Sequence, residues 1–131
     1  MIYALDSDTL SYLLKNDDHV YSRYNEALDN SNHCVIPLIV YYEVKRGLKA
    51  KDATNKMRAF ERFCEALDIV SLGVSDMDVA ADIYAANKKA GRPMGDSDLL
   101  IAAAINRFCA VQGICHAGRY APDRDSVRSD L

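Results

Sequence analysis

The chain has 131 residues, of which 50% are hydrophobic and 27% are charged. This length suits one domain with a core of its own, and six Gly with three Pro exclude collagen-like and low-complexity proteins. The formal net charge of −3 excludes a protein that binds nucleic acid through its overall charge. A nucleic-acid partner would therefore have to be held by a local basic patch.

Membrane and export signals are not evident in the sequence. The longest stretch without a charged residue, 30–42, has 13 residues, fewer than the ~20 apolar residues of a membrane helix. The first ten residues contain Asp6 and Asp8 but no Lys or Arg, unlike a secretory leader. The four cysteines are scattered without a Cys-x-x-Cys pair, so we expect reduced thiols. We expect a cytosolic protein with no membrane contact.

Short apolar runs alternate with helical periodicities along the chain, which identifies most elements. In chain order, the sequence predicts a strand over 1–5, a helix to about 16, a helix to about 30, a strand over 34–36, helices over about 38–50 and 52–67, a strand over 69–72, a helix from a cap at Ser75 to Gly91, an apolar helix over 99–108 and a last strand over 109–115. This alternation predicts an α/β domain with a parallel sheet. Residues 117–131, six of them charged, are predicted to form a loose tail.

Acidic residues follow the predicted strands. Asp6 comes directly after the first strand, Glu43 lies in the helix after the second, and Asp96 and Asp98 begin the apolar helix. Functional groups of parallel sheets gather beyond the carboxyl ends of the strands, and converging carboxylates share protons or hold a divalent metal. The alternatives are helix capping for the aspartates and an ion pair with Arg46 for Glu43.

The charges are unevenly distributed. Residues 1–44 have two basic and seven acidic groups (net −5), residues 45–62 have seven and two (net +5), and residues 63–131 have seven and ten (net −3). The basic block is either a patch for nucleic-acid phosphates beside the acidic site or a solvated helix face. Its members are Lys45, Arg46, Lys49, Lys51, Lys56, Arg58 and Arg62.

Side chains close to Glu43 are the first candidates for nucleic-acid contacts. Lys45, Arg46 and Lys49 follow Glu43 within two helical turns and could bind phosphates. Tyr41 and Tyr42 either stack on bases or, the more ordinary role, pack around the helix.

Three segments carry a family resemblance: IYALDSD at 2–8, YEVKRG at 42–47 and GRPMGDSDLLIAA at 91–103. In this order and spacing they resemble PIN-domain ribonucleases of the VapC toxin type, over about residues 1–108. The resemblance implies a three-layer α/β/α fold with a short, mostly parallel central sheet. It also implies a Mg²⁺- or Mn²⁺-dependent endoribonuclease that cuts RNA such as tRNA, and a homodimer inhibited by an antitoxin whose tail reaches the active site.

The family's functional residues carry over by position. Asp6, Glu43 and Asp98 match its catalytic, metal-binding acids, and Ser7 matches its small hydroxyl residue. Asp96 is an additional acid, which either assists catalysis or serves the helix terminus. We expect all 131 residues to form a single PIN-like domain, with 109–131 as an atypical C-terminal segment.

The C-terminal segment departs from the family, which continues with a Gly-apolar strand and then Thr followed by Asn or Asp. Here no Asp or Asn occurs between Arg107 and Pro122, so the fourth acidic position is missing or replaced, with Asp96, Asp123 and Asp125 as candidates. Two hypotheses follow: a catalytically impaired PIN domain that still dimerises and binds an antitoxin, or a changed reading frame after about residue 108. A phospho-receiver-like domain is disfavoured, since the third strand ends in Ser-Leu-Gly without an acceptor Asp.

Overall fold

Strands and helices alternate along the part of the chain that the computed structural model describes, residues 2–29, 33–112 and 117–120. The elements are β1 (Ile2–Leu5), α1 (Ser7–Leu14), α2 (Asp18–Asp29), β2 (His33–Pro37), α3 (Leu38–Ala50), α4 (Thr54–Ala66), β3 (Asp68–Val70), α5 (Val74–Lys89), α6 (Asp96–Gln112) and β4 (Ala117–Tyr120). Most predicted elements are confirmed to within a few residues.

The four strands form one sheet in the order β3-β2-β1-β4, and every neighbouring pair is parallel. Helix α6 packs against all four strands and α5 packs on α6, while α2, α3 and α4 contact β2 or β3. Parallel strands are joined by helical crossovers, which cover both faces of such a sheet. The predicted α/β/α fold with a short parallel sheet is confirmed.

The core explains why β1 and β2 are almost uninterrupted apolar runs. Tyr3, Leu5, Val35 and Ile36 are at most 1% exposed, as expected for strands covered on both faces. They pack with buried side chains of the surrounding helices. These are Leu10 and Leu13 of α1, Val40 and Val44 of α3, Phe60 of α4 and Ile105 of α6.

The start of α5 differs from the prediction. Gly73 rather than Ser75 is the N-cap, and the Asp76 carboxylate accepts the Gly73 backbone N–H at 2.8 Å. Asp76 is buried, and it also accepts Arg107 Nε at 2.8 Å. Burial alone would raise the pKa of Asp76, but its hydrogen bonds with Arg107 and Gly73 and the Arg107 charge lower it below its ordinary value. This ion pair ties α5 to α6.

Two predictions for the C-terminal part are wrong within the described residues. The strand predicted over 109–115 does not start at residue 109, because α6 continues to Gln112; residues 113–115 lie outside the described ranges. The loose tail predicted over 117–131 is wrong at its start, where Ala117–Tyr120 form β4 beside β1. The first of these errors arises because a short apolar run, such as the one that begins at residue 109, is compatible with either a helix or a strand. Residues 121–131, with Asp123 and Asp125, lie outside the described ranges.

Two cysteines are described as free thiols, Cys34 in β2 and Cys64 in α4, as predicted. Burial raises the pKa of the Cys34 thiol to about 11. The side chain of Cys109 and the whole of Cys115 lie outside the described parts. Within those parts, none of the helices has the length and apolar character needed to cross a membrane.

Candidate active site

The candidate acids lie at the carboxyl edge of the sheet. β1 and β2 are adjacent and parallel, so their carboxyl ends lie at the same edge. Asp6 follows β1 directly, and α3, which carries Glu43, begins directly after β2. This is the edge at which open parallel sheets bind their ligands.

Asp6 is the N-cap of α1. Its backbone is extended (φ −87°, ψ 172°), and its Oδ1 accepts the Thr9 backbone N–H at 2.8 Å. The capping alternative is therefore correct for Asp6, whereas Asp8 lies in the first turn of the helix. Capping and catalysis are compatible, since a carboxylate has about four acceptor positions and the cap uses one.

Glu43 is half-buried and joins three elements. Its Oε1 accepts a hydrogen bond from Ser7 Oγ at 3.1 Å, and its Oε2 accepts one from Ser97 Oγ at 3.2 Å. Among the described residues it forms no ion pair with Arg46, whose guanidinium lies over the Tyr42 ring, 5.1 Å from the centroid. The alternative role of Glu43, pairing along its own helix, is therefore wrong.

These two hydrogen bonds bring the three sequence motifs together. Ser7 is the chain neighbour of Asp6, and Ser97 is the chain neighbour of Asp98. Holding both serines therefore holds the backbone that carries both aspartates close to Glu43. Asp98 is half-buried in the first turn of α6.

Ser97 is the site residue that sequence reasoning missed. It stands between two acids in the motif Gly-Asp-Ser-Asp, and a hydroxyl flanked by candidate ligands is the signal that could have identified it. Asp96, the additional acid, is exposed and lines a cavity of about 400 Å³ with Met77 and Tyr84 of α5. It thus faces α5, whereas Ser97 faces Glu43.

The donors at this edge are all oxygen atoms: carboxylates of Asp6, Glu43 and Asp98, with hydroxyls of Ser7 and Ser97 beside them. Such donors suit a hard divalent cation such as Mg²⁺ or Mn²⁺. Each Glu43 oxygen also retains acceptor capacity beyond its serine bond. No three His, Cys, Asp or Glu side chains in the described ranges lie close enough together to form a ready-made metal site. The chemistry of the donors nevertheless fits the ion.

The three basic residues after Glu43 have distinct surroundings. Lys45 Nζ donates to Tyr41 Oη at 2.7 Å, a bond that raises the pKa of the lysine. Tyr41 packs against Phe60, with ring centroids 5.6 Å apart, so it belongs to the helix packing. Tyr42 is 55% exposed beneath Arg46. Lys49 is exposed.

The sequence model of the PIN domain family matches residues 3–109 of this chain. Among curated proteins, Ribonuclease VapC1 of Haemophilus influenzae strain R2866 is 28% identical over 103 residues, which cover 78% of this chain and 77% of that protein. Ribonuclease VapC1 of strain 86-028NP matches to the same extent.

Solved structures share the fold. VapBC2 from Rickettsia felis, bound to a DNA fragment from its promoter, has a TM-score of 0.72 and 24% identity, with 82% of this chain and 83% of that chain covered. VapBC-1 from nontypeable Haemophilus influenzae has a TM-score of 0.67 and 23% identity, with 92% of this chain and 98% of that chain covered. DNA-bound VapBC from Salmonella typhimurium has a TM-score of 0.68 and 21% identity, with 92% of this chain and 99% of that chain covered.

The family match includes Asp6, Glu43 and Asp98, and the fold of the solved structures agrees with it. The resemblance indicated by the sequence motifs is thereby confirmed, and the chain belongs to the PIN domain family.

Proposed function

We propose that this protein is a metal-dependent endoribonuclease that hydrolyses tRNA or another structured RNA, as the toxin of a VapBC-type toxin–antitoxin pair. The observation that carries the proposal is the pair of hydrogen bonds at Glu43, which gathers the Asp6, Glu43 and Asp98 segments at one edge of the sheet. The similarity to Ribonuclease VapC1 supports the reaction class.

In this proposal Asp6, Glu43 and Asp98 hold Mg²⁺ or Mn²⁺. When bound, the ion lowers the pKa of a water molecule and stabilises charge on the phosphate oxygens. Ser7 and Ser97 act as positioning residues, because each fixes one oxygen of the Glu43 carboxylate. Asp96 is an auxiliary acid at most, given its position beside α5.

Binding partners follow from the same similarity. We propose a cognate antitoxin, supported by the common fold with VapBC structures, and a homodimer, which the family resemblance implies. Lys45, Arg46 and Lys49 of α3 are the proposed RNA-contacting residues of the basic block.

Cleavage of total tRNA by the purified protein, with and without Mg²⁺, tests the function directly. We expect Mg²⁺-dependent cleavage that Asp6→Asn or Asp98→Asn abolishes, because each change removes a charge from the metal site. Asp82→Asn is the matched control, an equal change on the exposed face of α5, and should cleave normally. Unchanged cleavage in either site variant would refute the assignment.

A second candidate function has its own observation, the lack of any Asp or Asn between Arg107 and Pro122. It is a catalytically impaired PIN domain that dimerises and binds an antitoxin. Isothermal titration with Mn²⁺ distinguishes the two functions. The nuclease takes up the ion and Asp98→Asn weakens the uptake, whereas an inert binding domain takes up none.

A further inference from the structure

A cavity of about 180 Å³ opens beside Glu43, between α1, α3 and the beginning of α4. Ser7 and Glu43 line it on the side of the candidate active site. Lys15, Lys51 and Lys56 also line it, although Lys15 lies more than 30 residues before the other two in the sequence and the three come from different parts of the fold. We call these three residues the lysine wall.

The lysine wall places three positive charges around one cavity, whose lining contains the single negative charge of Glu43. All three side chains are exposed, and within the described ranges none forms an ion pair with a carboxylate. The Lys15 ammonium lies 5.7 Å from the centroid of the Tyr12 ring. Three cations around one small cavity repel one another, so an anion in the cavity would be attracted to all of them.

Helix electrostatics account for only part of the lysine wall. Lys15 and Lys51 are the C-caps of α1 and α3, where a positive charge is favourable. Lys56 lies in the first turn of α4, where a positive charge is unfavourable and where no acidic residue is present. The placement of Lys56 is therefore not explained by the stability of its helix.

We propose that the lysine wall is a phosphate-binding subsite for the RNA backbone, adjacent to the phosphate that is cleaved. This inference rests on the proposed function. Lysine binds phosphate as a point charge, and Glu43 lines the same cavity. A polyanion that approaches the acidic residues is repelled by them, and the lysine wall would offset that repulsion.

The shape of the surrounding surface favours a chain over a single small anion. A second cavity, of about 400 Å³, shares Lys15 and Lys56 with the first. Its lining includes Asn16, Asn55 and the Tyr21 ring, which offer amide groups for base edges and an aromatic surface for stacking. A phosphate held by these two lysines thus has space on both sides. This combination suits a nucleotide chain better than an acidic peptide.

Gly47 keeps the first cavity open. It lies four residues after Glu43, so the helical period places both on one face of α3, and Lys51, the C-cap of the helix, follows four residues later. Gly47 lines the cavity, and a Cβ atom at this position would meet no heavy atom of the described residues within 4 Å. A longer side chain can therefore be accommodated there, and it would occupy the cavity.

The test compares Lys51→Gln/Lys56→Gln with the control Lys88→Gln/Lys89→Gln, which removes the same charge from the end of α5. Binding of a fluorescein-labelled 15-nucleotide single-stranded RNA is measured by anisotropy in EDTA, at several NaCl concentrations. We expect the first variant to weaken binding at least tenfold at low salt. The slope of log K against log salt, which is negative, should become shallower by about 1.4, or about 0.7 per lost phosphate contact. The control should bind within twofold of the unmodified protein.

Cleavage of total tRNA provides the second readout. The lysine variant should raise KM with little change in kcat, as expected when uniform binding is lost. Gly47→Met should raise KM without any change in net charge. If the unmodified protein cleaves tRNA while the lysine variant matches the control in affinity, salt slope and KM, the subsite is refuted and the nuclease function stands.

Two other outcomes distinguish the phosphate subsite from the nuclease function and from binding of an acidic protein segment. If the unmodified protein binds RNA but does not cleave it, and the lysine variant weakens binding, the subsite is supported and the nuclease function fails. If the lysine variant loses affinity for polyglutamate while its RNA affinity is unchanged, the cavity serves an acidic protein segment and the proposal is overturned.

Discussion

Glu43→Gln separates the chemical role of this residue from its structural one. The substitution preserves the shape of the side chain and one oxygen acceptor, but it removes the negative charge. The two serine bonds, at 3.1 and 3.2 Å, are long for hydroxyl donors. Each is therefore worth at most about 1 kcal/mol. The hydroxyl facing the new amide nitrogen can rotate and accept a hydrogen bond.

The expected effects on stability and activity differ widely. We expect the free energy of unfolding to fall by no more than about 1 kcal/mol, since at most one hydroxyl bond is lost. A charge that helps a metal ion to stabilise the transition state is worth several kcal/mol. If the Glu43 charge contributes about 3 kcal/mol to the stability of the transition state, kcat/KM should fall by at least about 100-fold when the charge is removed.

Urea unfolding and Mg²⁺-dependent tRNA cleavage measure the two quantities on the same preparations. Ser97→Ala is the companion variant, because it removes one bond to Glu43 and leaves the charge in place. It should lose about 10-fold in cleavage, within the range found when a residue that orients a metal ligand is removed. Cleavage by Glu43→Gln within threefold of the unmodified protein would refute the metal-ligand role. A stability loss above about 3 kcal/mol would show instead that Glu43 is chiefly structural.

Four further predictions concern single positions. Asp6→Asn should abolish cleavage yet keep the helix cap, whereas Asp6→Ala should also lose about 1 kcal/mol of stability in urea unfolding. Asp76→Ala should cost about 2–3 kcal/mol, because it removes charged hydrogen bonds from a buried carboxylate, although the partly exposed Arg107 can be rehydrated. The pKa of Asp76 is lowered in the folded state, so its contribution to the free energy of unfolding is present at neutral pH and is lost as the pH falls through that lowered value. In urea unfolding at several pH values, the stability of Asp76→Ala should therefore decrease less on acidification than that of the unmodified protein. Gly47→Ala should raise the melting temperature, gaining about 0.5–1 kcal/mol from helix propensity. Cys34, with a pKa of about 11, should resist iodoacetamide at pH 8 until the protein is unfolded, as mass spectrometry of the native and urea-treated protein would show.

The sequence predicts the fold well where local pattern and burial agree. Strands β1 and β2 are apolar on both faces, and the core positions of α3 recur every four residues, so their identity follows from periodicity. The pattern fails near the C-terminus. There α6 extends to Gln112, and the short strand Ala117–Tyr120 pairs with β1 although Tyr120 is its only residue of a type that favours strands.

For the candidate site, the sequence indicates the acids but not what holds them. Asp6, Glu43 and Asp98 stand out by their positions after strands and at a helix start. The bond between Ser97 and Glu43 spans 54 residues, and the cavity brings Lys15 beside Lys51 and Lys56, which follow it by more than 30 residues. Such contacts depend on how helices pack, which residue spacing alone does not determine.

The distribution of charge within one cavity links the fold to its proposed substrate. A net charge of −3 counts against RNA binding only if the charges are spread evenly. Here Glu43 and the lysine wall line the same cavity, although within the described ranges no lysine of the wall forms an ion pair with Glu43. Because the interaction of two charges weakens with the distance between them, where the charges lie matters more than their total. Under the proposed function, acids that hold a metal would also repel the RNA backbone, so such a nuclease site requires cations close to its acids. The packing of α1, α3 and α4 places the lysine wall there.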